Sequence, residues 1–184
     1  MQTIDQQAFT SYLQPNELIQ WVGRPPSGLL FRKSDALMIP FSLLWGSFAV
    51  FWETTAYNSG APGFFLLFGG FFVLIGLYIT IGRFGYDIWR RQNTVYGLTG
   101  ERALILSGIF SQSVKSINLK NTPEVSLEQK PNGYGTITFG STLPYRSFIG
   151  NSSMPGYGQS ATPCFEMIEN VTSVYQIIQG IQRK

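Results

Sequence analysis

The sequence predicts an α+β membrane protein: a two-helix transmembrane hairpin, followed by a small antiparallel β-barrel or sandwich that a C-terminal amphipathic helix caps. Three observations predict it. Charged residues make up only 12% of the chain, about half of the roughly 25% usual in soluble proteins. The shortfall forms one block, because Glu53 is the only acid or base between Ala36 and Gly82. Past Arg91 the pattern changes to short alternating runs separated by turn residues, as strands require.

Residues 1–35 form a polar N-terminal segment in which Ile4, Ala8, Phe9, Tyr12 and Leu13 read as a short amphipathic helix ending near Pro15. No short apolar core lies near Met1, so a cleaved signal peptide is not expected. The run "ALMIPFSLLWGSFAVFW" supplies a first span at 36–56, 57–62 form a short outer turn, and "GFFLLFGGFFVLIGLYITIG" supplies a second span at 63–85. A helix rises about 1.5 Å per residue, so about 20 residues cross a hydrocarbon core of about 30 Å. Core helices of a soluble protein carry a polar stripe, and the second run has none. Gly69, Gly70 and Gly76, with Gly46 and Ser47, offer small surfaces through which the two helices can approach.

The flanks set orientation. Arg32 and Lys33 precede the first span, Arg83, Arg90 and Arg91 follow the second, and the connecting turn has no Lys or Arg. Positive residues stay on the cytoplasmic side, so a multi-pass protein of the plasma or inner membrane with both termini cytoplasmic is expected. The same five residues are the candidate contacts to lipid headgroups. Trp45, Trp52 and Tyr57 towards one end, and Tyr78, Tyr86 and Trp89 towards the other, suit interfacial anchoring.

Residues 86–184 read as the cytoplasmic module. "TVYGLT" and "ALIL" flank a short hairpin at "GER"; "SVKSINL" follows; "EVSLEQ" and "GTITFG" are joined by "KPNGY", whose Asn132-Gly133 pair favours a hairpin. "CFEMIE" supplies a last strand. Asn170 then stands as a candidate N-cap for a helix in which Val171, Val174, Tyr175, Ile178 and Ile181 recur at helical spacing, with Arg183 and Lys184 at its end.

Several function classes are excluded by composition. The chain has no histidine and a single cysteine, Cys164, which removes thiolate or imidazole zinc sites and every triad that needs a histidine base. The ten carboxylates are scattered in sequence. No catalytic residue, cofactor or metal is expected, and the chain is read as a non-enzyme. From Gln92 to Lys184 seven basic residues face five acidic ones, too mild a balance for a nucleic-acid footprint.

The order "NELIQWVGRP" (Asn16 to Pro25), two spans, "YGLTGERALI" (Tyr96 to Ile105), several strands and a terminal amphipathic helix resembles bacterial membrane proteins with a pleckstrin-homology-like (PH-like) domain, a family once catalogued as a domain of unknown function. The resemblance covers nearly the whole chain. It implies a PH-like barrel capped by a helix, an N-terminal segment that packs on that module, and a binding or scaffolding role. Related domains that hold phosphoinositides carry clustered Lys and Arg on the first two strands, where this chain has only Arg102 beside Glu101. Arg102 is therefore expected to pair with Glu101, Glu124 or a backbone carbonyl.

The segment 140–163 is long for a connection within a compact domain and carries Tyr145, Arg146, Phe148, Ile149, Met154 and Tyr157 among Gly, Ser and Pro. Those six residues are the candidate partner-binding loop, with folding back over the sheet as the alternative. The resulting expectation is a membrane-anchored adaptor or scaffold that binds a protein partner or self-assembles as a homo-oligomer. The alternative is a protein that binds or senses lipid headgroups. Membrane lipids are partners in both; nucleic acid is in neither.

Overall fold

A computed structural model describes residues 2–32, 34–109, 111–140 and 162–183. In chain order the elements are α1 (Gln2–Gln7), β1 (Ile19–Gly23), α2 (Asp35–Asn58), α3 (Gly63–Leu77), a π turn (Tyr78–Gly82), α4 (Arg83–Gln92), β2 (Thr94–Thr99), β3 (Arg102–Ser107), β4 (Ser113–Asn118), β5 (Val125–Gln129), β6 (Gly135–Phe139), β7 (Cys164–Ile168) and α5 (Val171–Gln182). Two compact units result, divided between Gly28 and Leu29 and between Asp87 and Ile88.

The helical unit is the two apolar runs folded as an antiparallel pair. At 24 residues α2 is about 36 Å long, and α3 continues through the π turn and α4 as one 30-residue helix, Gly63–Gln92. Both helices are long and apolar enough to cross a membrane. Their outer faces are bare: Leu44 is 72% exposed, Phe64 75% and Leu67 78%, an apolar surface of the kind that marks contact with a partner protein or a membrane. Small residues govern the contact between them. A Cβ on Gly76 would stand 3.2 Å from Gly46 Cα, whereas one on Gly70 would meet nothing. Next to that crossing, Trp45 stacks on Phe72 with ring centroids 5.8 Å apart.

In the β unit the alternation of the sequence resolves into two antiparallel sheets, β1-β2-β3-β4 and β5-β6-β7. Tyr96 stands opposite Ile105, Ala103 opposite Ile117, and Leu127 opposite Ile137. The β5–β6 hairpin closes through Lys130–Tyr134, with Gly133 at φ +81°. β1, a strand not anticipated from the sequence, precedes both apolar helices and pairs with β2, Val22 opposite Gly97.

Of the barrel or sandwich expected, the barrel is not found: among the described residues the sheets stay separate, because β4 and β5 are consecutive but unpaired. α5 supplies the missing cover. Its Val171, Val174, Ile178 and Ile181 are buried with Tyr96, Leu98, Ile105, Ile137, Phe139 and Phe165 in one core. The other face of the first sheet is covered too: Phe9 is fully buried against Val95, Leu104 and Leu106, so β2 is buried along its whole length. Asn170 occupies the N-cap position of α5 at φ +50°, but its side chain makes no capping bond; its carbonyl accepts the Ser173 N–H at 3.0 Å instead.

Candidate functional site

Four charged residues of the helical unit meet at one end of the α2–α3 pair. Asp35 opens α2 and Arg83 opens α4, directly after the π turn. Arg83 Nη1 donates to Asp35 Oδ1 at 2.8 Å. Asp35 Oδ2 accepts the backbone N–H of Arg32 at 2.7 Å, and Arg32 Nη2 donates to Asp87 Oδ1 at 2.9 Å.

Local spacing brings this about. Arg32 and Asp35 are joined across the turn that enters α2, where the Asp35 N–H donates to Arg32 O at 2.9 Å. Arg83 and Asp87, four positions apart, share one face of α4. Each flank thus contributes one arginine and one aspartate, and the ion pairs run between flanks. The π turn sets which face of α4 looks inward, since the extra residue of such a turn rotates everything after it by about 100°. Thr80 within it donates to Gly76 O at 2.7 Å and to Ser42 O of the neighbouring helix at 3.4 Å.

The junction is buried: Arg83 is 1% exposed, Asp35 2% and Asp87 2%. Withdrawing ions from water costs several kcal/mol each, which hydrogen bonding must offset. Asp35 is satisfied, since each of its oxygens accepts a bond. Arg83 is satisfied only on one side, because Nε and Nη2 are buried without an acceptor. The Phe84 ring lies 4.5 Å from the Arg83 guanidinium carbon and meets Phe31 edge-on at 5.8 Å.

Elsewhere the chain uses that same guanidinium edge to hold a carboxylate. Arg24 places Nε and Nη2 on Asp5. Arg102 places them on Glu17, at 2.8 and 2.6 Å. Of the expected partners Glu101, Glu124 or a backbone carbonyl, the carbonyl is found, Tyr12 O at 2.9 Å, but the carboxylate is neither glutamate named and comes from the N-terminal segment. The Arg102 guanidinium holds the Glu17 carboxyl at a pKa of about 2, aided by bonds from the Gln14 N–H and Thr99 Oγ1 against the opposing effect of burial.

The five basic residues flagged as headgroup contacts are dispersed. Arg32 and Arg83 lie in the junction. Arg91 is buried in the β unit and donates to the carbonyls of Pro26 and Gly28. Arg90 is half-buried, and Lys33 lies outside the described residues, as do Tyr145, Arg146, Phe148, Ile149, Met154 and Tyr157 of the candidate partner loop. Asp35 and Asp87 were not singled out from the sequence. The available signal was an Arg-x-x-Asp flanking the first apolar run and an Arg-x-x-x-Asp flanking the second.

A family model described as "Bacterial PH domain" matches residues 36–157, about two-thirds of the chain. The chain belongs to the bacterial PH domain family. No curated protein and no solved structure matches this bacterial PH chain. The matched region begins in α2 and so includes both apolar helices together with most of the β unit of this PH protein. The four-charge junction, apart from Arg32 and Asp35, falls inside it.

Proposed function

We propose that this chain is a membrane-anchored PH-like adaptor: α2 and α3 span the inner or plasma membrane, and the β unit stands at the cytoplasmic face, where it recruits a protein partner or further copies of itself without catalysing a reaction. The observation that carries the reading is the outward apolar surface of a helix pair of spanning length in a chain of the PH family. The β1–β2 pairing supports a hairpin topology, because it requires the segments before and after the helix pair to lie on the same side. The basic flanks favour the cytoplasm as that side.

Alkaline carbonate extraction of native membranes, combined with protease treatment of intact cells carrying a tag after Lys184, tests this reading. Retention in the membrane with a protected tag is expected. Release by carbonate, or digestion of the tag without permeabilisation, overturns it. Recruitment through the 140–163 segment predicts that the triple change Tyr145→Ser, Phe148→Ser and Tyr157→Ser removes a co-purifying protein.

A second reading, lipid-headgroup binding, is favoured by the charged junction. The 20 residues from Gly63 to Gly82 span about 30 Å, so a membrane-spanning pair carries Arg83 and Asp35 at headgroup depth.

A further inference from the structure

We propose that the Nε/Nη2 edge of Arg83 is a binding site for a single phosphate oxyanion; the proposal deepens the lipid-headgroup reading and rests on it for the source of that phosphate. Both nitrogens are buried without an acceptor, although this is the edge with which Arg24 and Arg102 hold carboxylates. A buried cationic donor left without an acceptor is costly, and two parallel N–H groups match the oxygens of a phosphate as well as those of a carboxylate. The rest of the guanidinium is already committed: Nη1 to Asp35, and its surroundings to the Phe84 ring.

Charge bears on which oxyanion fits. The two aspartates of the junction are each held by an arginine, Asp35 by Arg83 and Asp87 by Arg32. The cluster is therefore neutral and does not attract multivalent anions. Within the helical unit the flanks carry Arg32, Lys33 and Arg83 against Asp35 and Asp87, an excess of one positive charge that favours anionic over zwitterionic headgroups. A singly charged phosphodiester meets both conditions, since its two free oxygens engage the fork and it adds one negative charge. At headgroup depth, lipid phosphate is the abundant acceptor of that kind.

The test compares the wild-type chain with Arg83→Lys, which keeps the charge but not the fork, and with the double variant Asp35→Leu/Arg83→Leu. The double variant removes the ion pair without stranding either partner, a change that buried pairs often tolerate. Each protein is incorporated into nanodiscs of phosphatidylglycerol with phosphatidylcholine, or of phosphatidylcholine alone, and released into mild detergent. Retained lipid is then counted by native mass spectrometry. In a parallel arm, the lipid-free protein in detergent is melted with and without inorganic phosphate.

The expected result is one retained phosphatidylglycerol on the wild type and about a tenfold loss of retention in both variants, as loss of a charge-assisted pair implies. Phosphate-dependent stabilisation of the wild type but not the variants, without lipid retention, assigns the same edge to free phosphate. Equal retention by wild type and variants, or neither retention nor phosphate response, overturns the site. Failure of the membrane reading shows separately, as release by carbonate, and leaves the phosphate titration able to decide on Arg83.

Discussion

Arg102 and Glu17 stand 85 positions apart and form a two-pronged ion pair that ties the N-terminal segment to the β2–β3 hairpin, with N–O distances of 2.8 and 2.6 Å. Glu17 also accepts the Thr99 hydroxyl at 2.8 Å, and both carboxylate oxygens are thereby used. The pair is mostly shielded, with side-chain exposures of 19% for Arg102 and 8% for Glu17.

Acid sensitivity follows from that pair. The Glu17 carboxyl is lowered from 4.5 to about 2 in the folded chain, so its contribution is full above pH 4.5 and is lost as the pH falls towards 2. The shift corresponds to about 2 kcal/mol after allowance for partial solvent screening. Glu17→Gln should lower the stability of the full chain near neutral pH by about that amount, and its denaturation midpoint should depend less on pH between 4.5 and 2 than that of the wild type. Parallel pH profiles for the two proteins would refute this.

Phe9 packs on the outer face of the first sheet closely over Gly97: a Cβ there would stand 3.1 Å from the Phe9 ring. Phe9→Ala should cost about 3 kcal/mol, the lower range for an emptied aromatic site. Gly97→Val should destabilise as well, and the two losses should be less than additive because the smaller residue makes room for the larger. Thermal melts of the single and double variants in detergent provide the measurement.

Glycine positions in the helix pair divide into those at the helix contact and those facing open space. Gly76→Leu should push the helices apart at Gly46 and lower the melting temperature of the helical signal, whereas Gly70→Leu should leave it nearly unchanged, since nothing lies within 4 Å of a Cβ at that position. Equal melting temperatures for the two variants would contradict the crossing at Gly46 and Gly76.

Asp35→Asn should be severe, at about 3–5 kcal/mol, because it leaves the Arg83 charge buried without a counter-ion. Asp35→Leu/Arg83→Leu should recover most of the loss. A double variant as unstable as Asp35→Asn would show that the junction is held by something other than this pair.

Much of the β unit was legible because its signals are local. Alternation marks β2 to β7, Asn132-Gly133 marks the hairpin that carries its left-handed residue at Gly133, and helical spacing marks the stripe of α5 from Val171 to Ile181. β1 was hidden because five residues, "IQWVG", show little alternation and their partner lies beyond two apolar helices. The same distance concealed Glu17 as the partner of Arg102. The choice between barrel and sandwich stayed open in the sequence because strand count carries no information on whether β4 pairs with β5.

The junction was half legible. Arg32 and Arg83 stood out as basic flanks, but a flank rule reads charge by sign and not by pairing, so Asp35 and Asp87 were passed over. The π turn had no visible signal, since "YITIG" continues the apolar run, yet its extra residue is what selects the inward face of α4.

The pairing of β1 with β2 also sets a timetable for synthesis. The ribosome releases β1 first, then both apolar helices, and only afterwards the strand that β1 must join. Throughout that interval β1 has no partner, and the first sheet cannot be completed until the helix pair has been disposed of. Synthesis of the helix pair thus comes before assembly of the PH-like sheet, and a copy cut down to its β-rich carboxyl-terminal half would expose the β2 edge to any other chain that could add a strand.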